Sequence, residues 1–322
     1  MEQENYPHHH IVVRYLNNNG NILNNMKLAP IVLFTYNRPW HTQETINALT
    51  KNGYAKESEL FIYSDCEKNE TDTEKVRAVR NYLKTIQGFK KITIIEREKN
   101  IGLARNIADG VTEVVNKFGR VIVLEDDCIV SLNFLSFMNN ALDFYENTKK
   151  IWHISGWNYP IEPDGLPETF LWRVMNCWGW ATWADRWKHF ERNPERLINE
   201  FSIDEINRFN LEGSHDFWSY IQKNIDGDIS TWAIFWYATI FKQGGLCLNP
   251  TQSLVLNIGL DGSGSHCKGG DNQNPLQNTS PHIFQENLVE CKECVERIKI
   301  YLDDARLSSY MRIIRKIKRR FI

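Results

Sequence analysis

Two glycine-rich nucleotide-binding motifs are missing from this sequence. No GxGxxG follows the first predicted strand, and no GxxxxGK followed by Ser or Thr occurs in the 322 residues. The first absence argues against a Rossmann dinucleotide site, and the second argues against a P-loop. A nucleotide site in this chain would therefore have to be built from other residues at the edge of a sheet.

A strong net charge and long apolar runs are also absent. The formal net charge is −2, so no global basic field favours nucleic acid. No run of 18 apolar residues occurs, so the sequence predicts no membrane-spanning helix. Aromatic residues are plentiful, at 12% of the chain with 11 Trp. This is only a weak indication of a carbohydrate site, because core packing explains most Trp residues.

Cysteine is sparse and scattered. The seven cysteines are odd in number, and the sequence shows no secretory signal peptide. We therefore expect reduced thiols and a cytoplasmic protein. Cys291 and Cys294 form one isolated CxxC. A zinc site would need a second pair of ligands with matching spacing, so we interpret this pair as two cysteines on one helix face.

Strands and helices alternate regularly in the first half of the chain. Apolar runs predict strands at 31–36, 60–64, 92–95 and 121–124, with a helix after each of the first three. This alternation predicts a parallel sheet with right-handed crossovers, and thus an α/β fold with a mostly parallel central sheet flanked by helices. Further predicted elements are helices at about 39–51, 72–86, 134–145 and 196–227, a strand at 151–155, and a helix from about Gln285.

Three adjacent acids, Glu125, Asp126 and Asp127, follow the apolar run at 121–124. We call them the acidic triplet. Adjacent carboxylates at the end of a buried strand repel one another and resist desolvation, so they need a cation or a strongly polar setting. Hard oxygen ligands suit Mn²⁺ or Mg²⁺ shared with a substrate diphosphate. For an Asp-Asp pair alone, a solvated acidic turn is the better interpretation, but the buried strand before it favours the metal site.

Polar residues also follow the other predicted strands. Because ligands bind at the carboxyl ends of strands in open α/β sheets, we expect these residues to converge on one crevice. The candidate residues for binding a nucleotide-containing donor substrate are Thr35, Tyr36, Asn37, Arg38, Asp65, Asn100, Arg105, Glu125 and Asp126.

The second half contains an aromatic cluster and a glycine-rich loop. Trp157, Trp178 and Trp180 are candidate acceptor-binding residues, and an aromatic core cluster is an equally good interpretation. The loop 257–266 ends at His266, which is a candidate metal ligand or phosphate contact. A lone His of this kind is more often a surface residue.

The C-terminus is basic and amphipathic. From Met311 onward the chain holds six Lys or Arg residues and no acid, and its apolar residues fall on one helical stripe. This pattern predicts a peripheral anchor on an anionic membrane surface, with a solvated charged end as the alternative.

The order and spacing of several blocks resemble the GT-A glycosyltransferases. The resemblance is closest to the N-acetylglucosaminyltransferase I branch and to family 2-like bacterial sugar transferases of capsule and lipopolysaccharide synthesis. It spans about residues 28–267. It rests on PIVLFTYNR from Pro30, YSDC from Tyr63, VIVLEDD from Val121, WHISGWN from Trp152, WGW from Trp178 and STWAIFW from Ser230.

The resemblance implies a Rossmann-like GT-A fold that binds a nucleotide-diphospho-sugar, with a UDP-linked donor and Mn²⁺ (or Mg²⁺) on Asp127. It also implies inversion, in which a carboxylate deprotonates the acceptor hydroxyl. The base position aligns with Ser230, which cannot act as a base, so Asp228 is preferred, with Asp185 and Asp216 as alternatives. The implied acceptor is a glycan or a lipid-linked sugar in surface polysaccharide synthesis, at the inner face of the cytoplasmic membrane.

The expected organisation has four parts. Residues 1–27 form a disordered leader, 28–160 bind the nucleotide-sugar, 161–284 bind the acceptor, and 285–322 form a helical basic tail. Because Ser230 replaces the expected acid, a catalytically inactive sugar-nucleotide or glycan binding module is the alternative to an enzyme. A nucleotidyltransferase is disfavoured, because no glycine-rich loop follows the first strand.

Overall fold

A computed structural model describes residues 27–262, 276–277 and 281–306. The predicted leader, apart from Lys27, and the basic tail from Met311 lie outside these residues. Within them the strands are β1 (Ile31–Thr35), β2 (Glu59–Ser64), β3 (Lys91–Glu96), β4 (Arg120–Glu125), β5 (Cys128–Val130), β6 (Ile151–Ser155), β7 (Thr169–Trp172), β8 (Trp180–Trp183), β9 (Leu246–Pro250) and β10 (Val255–Asn257). The helices are α1 (Pro39–Thr50), α2 (Thr73–Leu83), α3 (Leu103–Phe118), α4 (Phe134–Phe144), α5 (Ala184–Trp187), α6 (Pro194–Glu200), α7 (Ile203–Phe209), α8 (Trp218–Ile225), α9 (Ala233–Lys242) and α10 (Lys292–Arg306).

Eight strands form the central sheet, in the order β3-β2-β1-β4-β8-β6-β9-β7. The pairs β3–β2, β2–β1 and β1–β4 are parallel, which confirms the parallel α/β half predicted from residues 30–127. Beyond β4 the sheet is mixed, because β8 runs antiparallel to both β4 and β6, whereas β6 and β9 are parallel. A separate small ladder joins β5 and β10.

The core lies on both faces of this sheet, and β4 shows how the sequence produces it. Val121 and Val123 pack in the cluster that contains α3, while Ile122 and Leu124 pack in the cluster that contains α4. All four side chains are buried. An unbroken apolar run is what a strand covered on both faces requires, and β4 therefore delivers the acidic triplet from a rigid support.

The strand directions define two edges of the sheet. We call the edge at which β1, β2, β3 and β4 end the carboxyl edge. Because Val123 pairs with Trp180 and Arg120 pairs with Trp183, β8 begins at the carboxyl edge and ends at the opposite one. The strand β6 also ends at the carboxyl edge, because it runs antiparallel to β8. Residues just before β8 and just after β6 therefore join the acidic triplet at the same edge.

Two predicted helices differ from the observed ones. The helix expected from about Gln285 begins at Lys292. Residues before it run beside β7, where the Cys291 N–H donates to the Leu171 carbonyl at 2.9 Å, and the Gln285 N–H donates to the Tyr145 hydroxyl at 2.8 Å. These tertiary hydrogen bonds replace helical ones. The polar stretch expected to be helical at 196–227 forms three short helices, α6, α7 and α8.

None of the helices in the described part of the chain combines the length and the apolar character that a membrane span requires.

Candidate active site at the carboxyl edge

One guanidinium joins two acids of the triplet. Arg38 Nη2 is bonded to Asp126 Oδ1 and lies 3.0 Å from Asp127 Oδ2. Asp126 also accepts a hydrogen bond from the Tyr36 N–H at 3.2 Å. The residues meet because β1 and β4 are parallel neighbours, so that the segments after them leave the sheet side by side. The sequence prediction that Arg38 and the triplet converge at this edge agrees with this placement.

The triplet carries more negative charge than Arg38 can balance. Burial, together with the carboxylates of Asp127 and Asp126, raises the pKa of Glu125 to about 8. Burial also raises the pKa of Asp126, and the adjacent Arg38 opposes that change. For Arg38, burial disfavours the charge, but Asp126 and Asp127 outweigh it and raise the pKa of the guanidinium. Three carboxyl groups, of which those of Asp126 and Asp127 are buried, surround one guanidinium and favour the binding of a further cation.

A glycine lies close against the carboxylate of Asp127. The segment after β10 is tied to the triplet, because the Ile258 N–H donates to the Asp127 carbonyl at 2.9 Å, and the Asn257 side chain accepts from the Gly259 N–H at 2.8 Å. A Cβ on Gly259 would lie 2.2 Å from Asp127 Oδ2 and 2.8 Å from Arg38 Nη1. Any side chain there would collide with the carboxylate and with Arg38, so only a glycine lets the segment after β10 lie this close to the triplet. Gly259 was not among the residues predicted for the site.

Asp65 holds the loop before α3 against the end of β2. Its carboxylate accepts from the N–H groups of Ile101 at 3.1 Å and Gly102 at 3.0 Å. Asn100, a second predicted donor residue, donates to the Cys66 carbonyl at 2.6 Å. These bonds bring both predicted residues to the carboxyl edge and close the gap between the β2 and β3 ends.

Tyr36 and Asn37 turn toward Asp72, at the start of α2. The Tyr36 hydroxyl donates to Asp72 Oδ2 at 2.9 Å, and the Asn37 amide donates to Asp72 Oδ1 at 2.7 Å. Arg105 is not brought to the triplet. It lies on the surface of α3, with its side chain 69% exposed, and pairs with Asp109 at 3.4 Å. The predicted donor role of Arg105 therefore has no support from its position.

Two buried hydroxyls lie beneath this edge without partners. Thr35 and Ser64 are opposite each other at the ends of β1 and β2, and they are only 3% and 0% exposed. Neither side-chain oxygen has a hydrogen-bond partner among the residues that the structure describes. Thr35 was predicted and Ser64 was missed, because a lone Ser at a strand end carries no distinctive sequence signal.

Two tryptophans extend the carboxyl edge on the far side of β4. Trp157 follows β6 and Trp178 precedes β8, and their rings meet edge to face with centroids 4.7 Å apart. Both are half-buried. The predicted acceptor role of Trp180 is wrong, because its side chain is 1% exposed. Its ring stacks on His153 and Trp232, with centroids 5.3 and 5.0 Å away, and so belongs to the core.

Asp185, a predicted candidate for the catalytic base, lies far from the acidic triplet. It follows β8 at the edge opposite the triplet, where the Ala184 N–H donates to the Gly119 carbonyl at 2.9 Å. The length of β4, about 20 Å at 3.3 Å per residue, separates the two edges. Asp185 pairs with Lys149 at 2.6 Å and Arg186 at 2.7 Å. Burial opposes these ion pairs, but they lower the pKa of its carboxyl, as expected for a structural acid.

Asp228 lies in the exposed loop between α8 and α9. Within the described ranges its carboxylate has no hydrogen-bond or ion-pair partner, and its N–H closes α8 by donating to the Lys223 carbonyl at 3.0 Å. Ser230, where the resemblance implies an acid, accepts from Arg192 Nη2 at 3.0 Å. Asp216 is used differently, because its carboxylate accepts from the Ser219 N–H at 3.2 Å in the first turn of α8.

The second predicted metal ligand, His266, lies outside the described residues. Across the described ranges, no group of three or more His, Cys, Asp or Glu side chains is arranged to hold a metal ion. Any cation at the carboxyl edge would therefore depend on one or two carboxylates together with ligand oxygens, which is the common arrangement for Mg²⁺ with a bound phosphate.

Comparison with known proteins gives one family match. The family model for the GNT-I family matches residues 13–193, which is more than half of the chain and includes β1 to β8 and the acidic triplet. A search of curated proteins gave no match.

Solved structures of glycosyltransferases are similar to parts of the chain. TarS from S. aureus matches at 17% identity and a TM-score of 0.31, over 44% of this chain and 23% of TarS. A structure of TarS residues 1–349 matches at 12% identity and a TM-score of 0.42, over 71% and 60% of the two chains. The mannosyltransferase PcManGT from Pyrobaculum calidifontis, in complex with GDP-Man and Mn²⁺, matches at 10% identity and a TM-score of 0.38, over 69% and 73%. The chain thus covers less than two thirds of either TarS structure.

Proposed function

Because the chain belongs to the GNT-I family, we propose that it moves a sugar from a nucleotide-sugar whose diphosphate is held, with a divalent cation, at the acidic triplet. The chain is a GT-A glycosyltransferase. The observation that carries the finer proposal is the shared Arg38–Asp126–Asp127 contact beneath the bare Gly259. It places a guanidinium among an excess of carboxylates, at the edge where an α/β sheet binds ligands.

The residues at the triplet fit a divalent metal. Asp127 offers hard carboxylate oxygens, which Mn²⁺ and Mg²⁺ prefer, and Gly259 lets the backbone after β10 lie beside Oδ2 without a steric clash. The excess of carboxylates over guanidinium groups also favours a further cation. When bound, such a metal supplies Lewis-acid stabilisation of the departing diphosphate.

The protein's own groups position the donor around this point. Arg38 presents a guanidinium suited to phosphate oxygens, and the unpartnered hydroxyls of Thr35 and Ser64 offer hydrogen bonds beneath the ligand. Asp65 keeps the loop at 100–102 against the β2 end. A UDP-linked donor is the proposed substrate, on the strength of the family.

On the acceptor side, Trp157 and Trp178 provide half-buried aromatic surface for a sugar ring at the same edge. Asp228 is the proposed general base, because its carboxylate is exposed and free of partners within the described ranges. It would accept the proton of the acceptor hydroxyl as that oxygen attacks the anomeric carbon, and inversion follows from a single in-line displacement.

The proposed acceptor is a glycan or a lipid-linked sugar of surface polysaccharide synthesis. The basic sequence from Met311 supports a peripheral position on an anionic membrane, at the cytoplasmic face, since clustered Lys and Arg bind anionic lipid surfaces.

One observation favours a second candidate function. Ser230 stands where the family implies an acid, and Arg192 engages its hydroxyl at 3.0 Å. A protein without a base there could bind sugar-nucleotides or glycans without transferring sugar. Slow donor hydrolysis in the absence of acceptor would identify an enzyme and exclude this candidate.

A thermal-shift screen of nucleotide-sugars, with and without Mn²⁺, tests the leading proposal. A ligand that binds only the folded state raises the melting temperature by mass action. We expect UDP-sugars to stabilise the protein in the presence of Mn²⁺ and to have little effect in EDTA. If no nucleotide-sugar shifts the melting temperature under either condition, the proposed donor site is wrong.

A further inference from the structure

Two cysteines meet at the start of α10. Cys291 Sγ lies 3.0 Å from Cys294 Sγ. Cys291 immediately precedes the helix, and its carbonyl accepts the Val295 N–H at 3.0 Å, so it occupies the N-cap position. Cys294 is fully buried, whereas Cys291 is half-buried and reachable from solvent.

The two thiols are chemically unequal. The hydrogen bond between the two thiols and the backbone N–H groups of Cys294 and Glu293 lower the pKa of Cys291 to about 6. The same hydrogen bond and burial raise the pKa of Cys294. At neutral pH the accessible sulfur is therefore largely thiolate, while the buried sulfur keeps its proton. A thiolate at a helix N-terminus beside a second Cys is the arrangement that makes a CxxC nucleophilic.

Three other described cysteines, Cys66, Cys128 and Cys247, have the opposite character. The Glu67 carboxylate, which accepts from Cys66 Sγ, raises the pKa of Cys66, and burial raises that of Cys128 and of Cys247. Cys66 is also half-buried, so it serves as an internal comparison of similar exposure but without activation.

We propose that Cys291 and Cys294 form a reversible redox site whose substrate is a low-molecular-weight disulfide such as glutathione disulfide. The Cys291 thiolate attacks one sulfur of that disulfide, a mixed disulfide forms, and one thiol departs as its thiolate. Cys294 then loses its proton and attacks Cys291 Sγ, which releases the second thiol. Overall the protein dithiol loses two electrons and two protons, and the small disulfide is reduced to two thiols.

The local geometry suits the second step. The two sulfurs are already near contact, so closing the bond to its normal length of about 2.05 Å asks for a shift of about 1 Å. The backbone around the pair is fixed from both sides, because the Cys291 N–H donates to Leu171 of β7 at 2.9 Å and Arg297 Nη1 donates to the carbonyls of Glu162 and Asp164 at 2.7 and 2.9 Å. The oxidised pair would thus lie where α10 supports the segment that follows Trp157.

Peptide mapping of the full chain after exposure to glutathione disulfide tests this site. We expect the wild type to form a Cys291–Cys294 disulfide that dithiothreitol reverses. We expect Cys294→Ser to stop at glutathionylated Cys291, because the Ser hydroxyl still donates to that sulfur but cannot resolve the mixed disulfide. Cys291→Ser should form neither product, and Cys66→Ser, the matched control, should react as the wild type does.

The pH dependence provides a second measurement. In Cys294→Ser, the rate of alkylation of Cys291 by iodoacetamide should rise with pH with a midpoint near pH 6. At pH 7, Cys291 should be alkylated at least ten times faster than Cys66 in the same molecule. If Cys291 reacts no faster than Cys66, or if the wild type accumulates no Cys291–Cys294 disulfide, the redox site is refuted. Neither result depends on transferase activity.

Discussion

Arg38 Nη2 lies 3.0 Å from Asp127 Oδ2 while it also binds Asp126, so a cation from the end of β1 is shared by two acids from the end of β4. All three side chains are largely buried, and a buried charge that loses its partner destabilises a protein by about 3–5 kcal/mol. The sharing has a useful consequence. Removing the charge of Asp127 still leaves Arg38 paired with Asp126, so the function of Asp127 can be tested without leaving Arg38 unpaired.

Asp127→Asn should abolish metal-dependent donor binding and keep the fold. The amide keeps the shape of the side chain but supplies a much poorer ligand for Mn²⁺, which prefers charged oxygen donors. Isothermal titration of UDP in the presence of Mn²⁺ should show strong binding to the wild type and none to the variant, while the far-UV circular dichroism spectra agree. Equal Mn²⁺–UDP affinity in the two proteins would refute the assignment of Asp127.

Gly259→Ala should weaken donor binding in the same assay, through sterics alone. The added Cβ would lie 2.2 Å from Asp127 Oδ2, so either the carboxylate or the segment after β10 must move. We expect at least a tenfold loss of Mn²⁺–UDP affinity, because the displaced atoms are those proposed to meet the metal.

Gly53→Ala is the matched control for that substitution. No atom lies within 4 Å of a Cβ at Gly53, and its backbone is not in the left-handed region. It adds the same methyl group without contact with the triplet and should bind Mn²⁺–UDP like the wild type. If Gly259→Ala also binds like the wild type, the close approach of Gly259 to Asp127 is not needed for ligand binding.

The buried ring of His153 should make the free energy of unfolding depend on pH. Its ring is fully buried between the Asn176 carbonyl, which accepts from Nε2 at 3.0 Å, and Trp236 Nε1, which donates to Nδ1 at 3.2 Å. Burial, opposed by the Asn176 bond, lowers its pKa from 6.5 to about 3. Because the unfolded state binds the proton more strongly, this stabilisation is present above pH 6.5 and is lost as the pH falls toward 3.

Urea unfolding between pH 6.5 and 4.5 measures the effect. Each unit below pH 6.5 should cost the wild type on the order of 1.4 kcal/mol from this group. The Gln side chain in His153→Gln keeps a hydrogen-bond donor and an acceptor but has no ionisable group. The free energy of unfolding of this variant should therefore fall less steeply with decreasing pH over the same range. Parallel slopes for the two proteins would show that His153 does not stay neutral in the folded state.

The first half of the fold could be predicted because its strands are simple. In an apolar run that is buried on both faces, such as Val121 to Leu124, every residue faces the core, so no alternation of buried and exposed positions has to be assigned. Parallel neighbouring strands then end at the same edge of the sheet. That is why the prediction placed Arg38 beside Asp126. Gly259 escaped notice, because it reaches Asp127 only through the β5–β10 ladder, a pairing between segments more than 120 residues apart that no local pattern indicates.

The second half could not be predicted as well, because its strands mix directions. Trp178 and Trp180 are two residues apart and looked equivalent in the sequence. In the structure Trp178 precedes β8 at the carboxyl edge, whereas Trp180 enters the strand and is buried against His153. The position of Asp185 could not be predicted either, because it depends on the direction of β8. Only the antiparallel register of β8 with β4 shows that the residues after Trp183 lie at the far edge.

Deleting residues 311–322 should release the protein from anionic vesicles. This sequence contains six Lys or Arg residues and no acid, and each cation near such a surface contributes on the order of 1 kcal/mol. Cosedimentation with phosphatidylserine vesicles should show binding of the full chain that weakens with salt, and little binding of the truncated one. Turnover of a soluble acceptor should be the same for both. Equal vesicle binding by the truncated chain would contradict the proposed anchor.

Asp228→Asn should lower kcat and leave donor affinity unchanged. The amide has the shape of the carboxylate but cannot accept the proton of the acceptor hydroxyl, and general-base catalysis contributes a factor of ~10²–10⁴. Because the base acts only in the chemical step, kcat and kcat/KM should fall together. Steady-state kinetics with a soluble acceptor, and titration of Mn²⁺–UDP as the binding control, measure both quantities.

Asp185→Asn is the control variant for Asp228→Asn. Asp185 was an alternative candidate by sequence, but it lies at the opposite edge and is bound to Lys149 and Arg186. Its substitution should leave kcat and both KM values near those of the wild type, since no substrate at the carboxyl edge can reach across the length of β4. If Asp185→Asn loses turnover while Asp228→Asn keeps it, then the acceptor does not bind at the carboxyl edge, and the location of the transfer reaction must be sought at the other end of the sheet.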